Sequence, residues 1–197
     1  YTQRYTGRDQ LGNNILDNDV VLDDFDFFPS INLIYQINEN MNLRGSYTRT
    51  IARPSMKELS FAEIYDPVTA RTFVGSLFPD EDPKSGLSFW DGNLTSTNIQ
   101  NFDIRWEFFQ PGGRMVSLSG FYKTFDRPIE VVQYATQTGS FQSRNVGDAE
   151  VFGAEFEFRQ NFEFITPSLQ YLGIVFNFSY IYSRVEMSET EYQSRIN

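Results

Sequence analysis

The sequence predicts an all-β, antiparallel transmembrane β-barrel, and three observations lead to this fold class. Runs of about ten residues alternate apolar or aromatic side chains with polar ones along most of the chain. Aromatic residues make up 17% of the 197 residues, which suits a barrel with aromatic girdles at both membrane interfaces. No apolar run reaches the ~18 residues that a membrane-spanning helix needs, so a membrane would be crossed by strands.

The alternation is clearest in residues 102–108. The side chains that share one face of this strand are apolar: Phe102, Ile104, Trp106 and Phe108. Those on the other face are charged: Asp103, Arg105 and Glu107. Because successive strand side chains point to opposite faces, the pattern fits one face toward lipid and one toward a water-filled lumen.

The chain begins with a polar segment that leads into a hairpin. Residues 1–26 are rich in Asp and Asn and are predicted to be a loop that holds at most the end of a preceding strand. Residues 28–37 and 41–51 alternate as strands. Glu39-Asn40 between them is short enough for an antiparallel hairpin turn.

Residues 54–100 break the pattern and are predicted to form a long loop. They contain four of the eight prolines and the acidic cluster at residues 80–82. A loop of this length is uncommon inside a compact domain and is usually functional. Long loops of outer-membrane barrels lie outside the cell and short turns in the periplasm. We therefore expect residues 54–100 to be extracellular and Glu39-Asn40 to be periplasmic, together with the turn at residues 111–114.

The remaining segments alternate strands with turns. Strands are predicted at residues 101–110, 115–125, 129–136, 150–160 and 172–186, separated by a Pro-Gly-Gly-Arg turn at 111–114, a loop at 137–147 and a turn at 161–170. Residues 55–62 are the longest stretch with helical character, and strands do not alternate with helices. The class is therefore all-β and antiparallel.

The composition excludes several functions. The chain has neither cysteine nor histidine, so it contains no disulfide, thiolate nucleophile, imidazole base or His/Cys metal site. Its formal net charge of -10 argues against nucleic acid as a partner. Because it also has no Gly-rich phosphate loop, serine elbow or HExxH motif, we predict no catalytic residues, no cofactor and no enzyme activity.

The acidic cluster has two interpretations. Residues 80–82 together with Asp91 could supply hard oxygen ligands to calcium. The spacing does not match an EF-hand loop, and a solvated acidic loop is the favoured interpretation. We therefore predict no metal site.

Charged residues assigned to the inner face are the first group of candidate binding residues. They are Arg44, Arg49, Asp103, Arg105, Glu107, Glu155, Glu157 and Arg159. They could line a lumen and contact a ligand or a plug, or they could be solvated strand residues whose charges offset one another. The first interpretation is favoured because both signs of charge fall on the same face.

Trp90 is the further candidate, from the long loop. With Phe73, Phe78, Phe89 and Tyr65 it could stack on a sugar or an aromatic ligand. The same aromatic side chains could equally form a small core of the loop itself. The residue types leave both alternatives open.

Several segments, read in order, resemble one family. They are residues 28–33 (FPSINL), 42–54 (NLRGSYTRTIARP), 91–94 (DGNL) followed by 101–103 (NFD), 121–123 (FYK) with Pro128-Ile129, and 145–147 (NVG) with 153–155 (GAE). Together they resemble TonB-dependent outer-membrane receptors, including those of the Bacteroidetes and related Gram-negative bacteria. Each motif alone is weak, but their common order over most of residues 28–185 is specific. The family's usual proline after Asn93 is absent.

The resemblance implies a barrel of about 22 strands closed by a plug. Such a receptor imports a scarce nutrient, a glycan, a peptide or a metal chelate, across the outer membrane with energy supplied by TonB. All of residues 1–197 are then interpreted as an internal part of the barrel domain, without the plug or the barrel termini. The implied partners are the plug domain of the same chain, the TonB complex through the missing N-terminal part, outer-membrane lipid and, as a further option, a surface lipoprotein.

A soluble β-sandwich that binds carbohydrate is the alternative. Two sheets packed apolar face to apolar face would produce the same alternation. The predicted strands have eight or more residues, and most have ten or more, whereas sandwich strands usually have about 5–6. Strand length therefore favours the membrane barrel.

Overall fold

The computed structural model describes residues 1–9, 11–134, 137, 139–187 and 192. In chain order its strands are β1 (Thr2–Arg8), β2 (Ile15–Asp23), β3 (Ser30–Asn38), β4 (Met41–Ala52), β5 (Glu63–Asp66), β6 (Arg71–Val74), β7 (Asp80–Glu81), β8 (Ser88–Trp90), β9 (Thr97–Gln110), β10 (Arg114–Asp126), β11 (Ile129–Gln133), β12 (Ser140–Asn145), β13 (Ala149–Asn161) and β14 (Gly173–Val185). A short 3-10 helix, Pro167–Leu169, lies between the last two strands. Among the described residues, no helix is long and apolar enough to cross a membrane.

Six long strands form one antiparallel sheet, which we call the barrel sheet. Its order is β14-β13-β10-β9-β4-β3, and its strands have 9 to 14 residues, long enough to span a bilayer. The all-β antiparallel class is confirmed, as are the predicted strands at residues 28–37, 41–51, 101–110, 115–125, 150–160 and 172–186, within a few residues at each end.

The pairing from β4 to β14 has no register shift, so side chains line up in rows across the sheet. One such row is aromatic on five neighbouring strands: Tyr47, Phe102, Tyr122, Phe152 and Tyr182. Because the side-chain period of a strand is two, an unshifted register keeps every apolar row on one face. We call this the aromatic face and the opposite one the charged face.

The aromatic face of the barrel sheet is not covered by a second sheet within the described ranges. Leu33, Ile104 and Phe178 on it are each more than half exposed. A sandwich would bury these side chains against a partner sheet, so the sandwich alternative is wrong for this part of the chain.

The prediction that residues 129–136 form a strand of the main sheet is wrong. β11 pairs with β12 in a separate four-stranded sheet of order β11-β12-β6-β5, and β10 pairs directly with β13. The chain leaves the direction of β10 at Arg127, which has a left-handed φ of 53° and is followed by Pro128. Residues 135 and 136 lie outside the described residues, and the predicted loop at 137–147 contains β12.

Within residues 1–26, β1 and β2 form a hairpin, where the sequence predicted a loop. The pairing is irregular, with two register shifts, and Asn18 has a left-handed φ of 57°. Bulges of this kind interrupt the two-residue alternation. The Asp- and Asn-rich sequence therefore did not indicate a strand.

The smaller sheets share one core and form a separate unit, which we call the cap: residues 1–24, 53–96 and 127–148, as far as they are described. Its core contains Leu22, Leu59 and Leu94, with Trp90 and Ile129 packed against them. The predicted long loop thus contains two short hairpins, β5–β6 and β7–β8. Its stretch 55–62 forms turns, one closed by a hydrogen bond from the Leu59 amide to the Ser55 carbonyl, 3.0 Å.

Candidate functional site

Five charged side chains form a continuous ladder on the charged face of the barrel sheet. Glu107 lies between two arginines: Arg44 Nε is 2.8 Å from its Oε2, and Arg105 Nε donates to its Oε1 at 2.9 Å. Arg105 Nη2 also donates to Glu157 Oε2 at 3.0 Å, and Arg159 Nη2 is 2.6 Å from Glu157 Oε1. We call Arg44, Arg105, Glu107, Glu157 and Arg159 the arginine–glutamate ladder.

The ladder extends from β4 to β13 because β10, the strand between β9 and β13, carries a small residue opposite the two glutamates. Ser117 of β10 pairs with both Glu107 and Glu157 in the register. Ser117 is fully buried, which shows that longer side chains close over it. A serine leaves the space that Arg105 needs to reach a carboxylate two strands away.

Glu107 also resolves an unfavourable pairing. The register places Arg44 directly opposite Arg105, and like charges opposite each other destabilise a sheet. Both guanidinium groups contact the carboxylate of Glu107, whose side chain is only 8% exposed. Arg44 and Arg159 at the two ends remain 49% and 53% exposed.

The other predicted lumen residues divide between the two faces. Asp103 lies on the charged face, where it accepts a hydrogen bond from Ser46 Oγ at 3.1 Å, and Glu155 pairs with Ser119 on the same face. The prediction that Arg49 faces inward is wrong. Arg49 is two residues from Tyr47 and so shares the aromatic face, and its Nη2 donates to Asn98 Oδ1 at 2.9 Å. Its charge had suggested a lumen position. The alternation of side chains along β4 places it on the opposite face instead.

Arg49 belongs to a polar row that ends the apolar band. The row next to the aromatic one is Arg49, Gln100, Thr124, Glu150 and Arg184. Two tyrosines of the aromatic row donate to it: Tyr47 to Gln100 Oε1 at 3.3 Å, and Tyr122 to Glu150 Oε2 at 3.1 Å. Tyrosine with its ring in an apolar layer and its hydroxyl in a polar one is typical of a membrane interface.

The core of the cap contains a buried ion pair that the sequence analysis did not identify. Arg144 Nη2 is 2.6 Å from Asp80 Oδ2, and the two side chains are 9% and 0% exposed. Arg144 Nε donates to Gln142 Oε1 at 2.9 Å, and Gln142 Nε2 donates to the Phe78 carbonyl at 2.9 Å. The prediction of a solvated acidic loop is therefore wrong for Asp80. On β12 the polar side chains point into the core, the reverse of the pattern that the sequence analysis used.

Two aromatic side chains enclose the guanidinium of Arg144. Its Cζ lies 5.0 Å from the ring centroid of Tyr134 and 6.0 Å from that of Trp90. Burial raises the pKa of Tyr134 to about 12, although the positive charge of Arg144 opposes this. Trp90 Nε1 donates to the Ser76 carbonyl at 2.8 Å. Trp90 is thus part of the core of the cap, the second of the two alternatives for the loop aromatics.

Asp82, another member of the acidic cluster, organises its own turn. Asp82 accepts hydrogen bonds from Ser85 Oγ at 2.5 Å and from the Lys84 amide at 3.0 Å, and these bonds lower the pKa of Asp82. Among the residues that the structure describes, no group of three or more acidic side chains is placed to hold a metal ion.

A single-layer sheet of long antiparallel strands with one aromatic and one charged face defines part of a transmembrane β-barrel. The chain belongs to the family described as "TonB dependent receptor-like, beta-barrel", whose sequence model matches residues 1–196. The resemblance seen in the sequence is thereby confirmed. A comparison with curated proteins finds no match.

Solved structures of siderophore receptors have a similar fold. The siderophore receptor PirA from Pseudomonas aeruginosa matches 80% of this chain with a TM-score of 0.57 and 16% identity. A mutant of the ferric enterobactin receptor PfeA from the same organism, in complex with enterobactin, matches 86% with a TM-score of 0.54 and 18% identity. Identities this low establish the fold alone. The chain spans about a quarter of the length of these receptors, 25% and 23%.

Proposed function

We propose that this chain is part of the barrel of an outer-membrane receptor that binds a scarce nutrient and imports it with energy from TonB. Family membership and the two-faced barrel sheet support the proposal. The plug and the segment that contacts TonB would come from the rest of the protein, since the chain spans only about a quarter of the similar receptors. Glycans, peptides and metal chelates all stay candidates for the cargo.

The arginine–glutamate ladder is the observation that most directly supports a binding role for this segment. On a closed barrel the charged face becomes the lumen wall. The carboxylates of the ladder are enclosed, while Arg44 and Arg159 at its ends are about half exposed. The ladder would therefore offer cationic ends to an anionic group on the plug or on the cargo. Trp90 would contribute through the shape of the cap and not by direct contact with cargo.

The position of the cap supports an extracellular role for residues 54–100. Every cap segment joins the barrel sheet at the same end: before β3, after β4, before β9, after β10 and before β13. Short connections, among them Glu39-Asn40 and residues 111–113, lie at the other end. Since long loops of such barrels face outward, the cap would meet the nutrient first. Import would then depend on movement of the plug and not on covalent chemistry.

Membrane fractionation of the native host tests the proposal on the full-length protein. We expect the protein in the outer membrane, dependent on detergent for solubility, with a shift in electrophoretic mobility on heating, as folded barrels show. Uptake of candidate nutrients should be lost when TonB is deleted. A protein that is soluble without detergent, or uptake that does not depend on TonB, would refute the proposal.

A further inference from the structure

The four-stranded sheet of the cap has a pocket of about 220 Å³ on the face that points away from the core. Its floor is apolar: Ile64 of β5, Phe73 of β6 and Phe141 of β12 stand side by side in the register. The two phenylalanine rings have their centroids 6.0 Å apart, and Val131 of β11 also lines the pocket. Pockets for drug-sized ligands have roughly 300–1,000 Å³, so this one suits a single bulky apolar group.

A carboxylate is fixed at the rim of the pocket. Glu58 Oε2 accepts a hydrogen bond from the Ser55 amide at 2.7 Å, and its Oε1 accepts one from Ser143 Oγ at 3.0 Å. Both donors are neutral, and within the described residues no cation forms an ion pair with Glu58. Glu58 is half-buried. Its charge is therefore held in one place and would gain from a cationic group on a ligand.

Hydrogen-bond donors lie beside this carboxylate. Lys57 lines the pocket, is exposed, and forms no ion pair in the part of the chain that the structure describes. The hydroxyl of Ser55 accepts a hydrogen bond from the Glu58 amide at 3.3 Å, which leaves its own proton available to a ligand oxygen. The rim thus offers a fixed anion next to an ammonium and a hydroxyl, at the edge of an apolar floor.

We propose that this pocket binds the amino-terminal residue of a peptide, one with a bulky apolar side chain. The α-ammonium would bond to Glu58, and the carbonyl oxygen would accept from Lys57 or from Ser55. The side chain would lie on the rings of Phe73 and Phe141. The assignment rests on the proposed function, because it names a peptide as the cargo that the cap meets first.

The other classes of cargo match the rim less well. An anionic metal chelate would bring negative charge toward the carboxylate of Glu58. A neutral glycan has no cationic group to pair with it. A free amino acid has the same ammonium and side chain as the end of a peptide, so the probes must separate these two sources.

Isothermal titration calorimetry on the purified full-length receptor in detergent tests the assignment. The probes are the dipeptide phenylalanyl-glycine, its N-acetylated form and free phenylalanine. We expect the dipeptide to bind roughly 10-fold more tightly than the acetylated form, which has no ammonium for Glu58. It should also bind more tightly than free phenylalanine. Equal or tighter binding of either of the other probes would overturn the proposal.

Glu58→Gln removes the charge of the rim and can keep its hydrogen bonds. The amide oxygen can accept from the Ser55 amide, and the amide nitrogen can donate to the Ser143 hydroxyl. We expect the dipeptide to bind roughly 10-fold more weakly and the acetylated form to be unaffected. The matched control Glu81→Gln removes the same charge at an exposed position of the cap outside the pocket and should bind as wild type does.

Phe73→Ala removes part of the apolar floor and should weaken binding of the dipeptide by about 10-fold. Its control is Tyr65→Ala, which removes an exposed aromatic ring from the same hairpin, outside the pocket. Hydrogen–deuterium exchange of cap amides shows whether each variant keeps its fold. If Phe73→Ala loosens the cap, Glu58→Gln and Glu81→Gln decide the question by themselves.

Wild-type affinity in a folded Glu58→Gln variant, or equal weakening in Glu81→Gln, would overturn the proposal. Calorimetry requires neither TonB nor transport. An absence of dipeptide binding would therefore reject the peptide assignment, whereas the location of the protein and the TonB dependence of uptake test the proposed function separately.

Discussion

Replacing Arg144 by methionine would remove the cation from a carboxylate with no access to solvent. The Asp80 side chain is fully buried, and Arg144 is its partner at 2.6 Å. Arg144 also donates to Gln142, so the variant breaks a second hydrogen bond. Removing one partner of a buried ion pair costs about 3–5 kcal/mol. We expect this cost to destabilise the cap and to leave the barrel sheet intact, because both residues of the pair lie on strands of the cap.

Hydrogen–deuterium exchange of the full-length receptor measures this effect. If cap amides exchange by local opening of the cap, a loss of about 3 kcal/mol corresponds to exchange roughly 100-fold faster. Amides of β6, β11 and β12 should accelerate, whereas those of β9 and β10 should not. The double variant Asp80→Leu/Arg144→Met should recover much of the loss, because an apolar pair has no buried charge.

Arg71→Met is the matched control in the same sheet. Arg71 lies over the ring of Phe141 with its Cζ 5.0 Å from the centroid, and it is exposed. Its removal should change exchange little, since exposed charges contribute about 0–1 kcal/mol. The cap amides of Arg144→Met could exchange at the wild-type rate, or those of Arg71→Met could accelerate as much as those of Arg144→Met. Either result would show that the buried pair does not hold the cap together.

Three further predictions concern the two faces of the sheet and the pH dependence of the cap. Glu107→Ala leaves Arg44 facing Arg105 without a shared carboxylate. Because both arginines are partly exposed, each lost ion pair should cost about 0–1 kcal/mol, measured as a lower temperature for the heat-induced mobility shift; Ser119→Ala, an uncharged change on the same face, should leave that temperature unchanged. Leu118→Arg on the aromatic face should cost about 2–4 kcal/mol at bilayer depth and reduce assembly in the outer membrane, whereas Asn177→Arg, opposite Glu157 on the charged face, should assemble normally. Burial raises the pKa of Tyr134 to about 12. The stability that the neutral tyrosine contributes to the cap is therefore fully present below its ordinary pKa of about 10 and is lost as the pH rises through 12. Exchange of cap amides should accelerate over that range in wild type and less so in Tyr134→Phe. Identical pH profiles would show that ionisation of Tyr134 does not destabilise the cap.

The strands of the barrel sheet could be predicted closely because one physical constraint governs each of them. A strand with one face in lipid and one in water must alternate with a period of two, as β9 does from Phe102 to Phe108 and β13 from Phe152 to Phe158. The ladder residues could be assigned to one face for the same reason. Arg49 shows the limit of assignment by residue type, because its position on β4 and not its charge determines its face.

The cap could not be predicted in the same way. β11 and β12 are short, and on β12 the buried side chains are polar: Gln142 and Arg144 are buried while Phe141 is half-buried. The charge of Arg144 on this strand is compensated by Asp80, which lies 64 residues away in the chain. A local pattern contains no information about a partner that distant.

The sequence by itself determined the class of this protein, the faces of its long strands and its family, because alternation and short ordered motifs are local properties of the chain. Only the tertiary structure decided which charges meet. It brings Arg105 to two glutamates on different strands, buries Asp80 against Arg144, and separates β11 from the barrel. The reason is that ion pairing and burial depend on the register of strands and on the chain path between them, and many paths are compatible with the same local pattern.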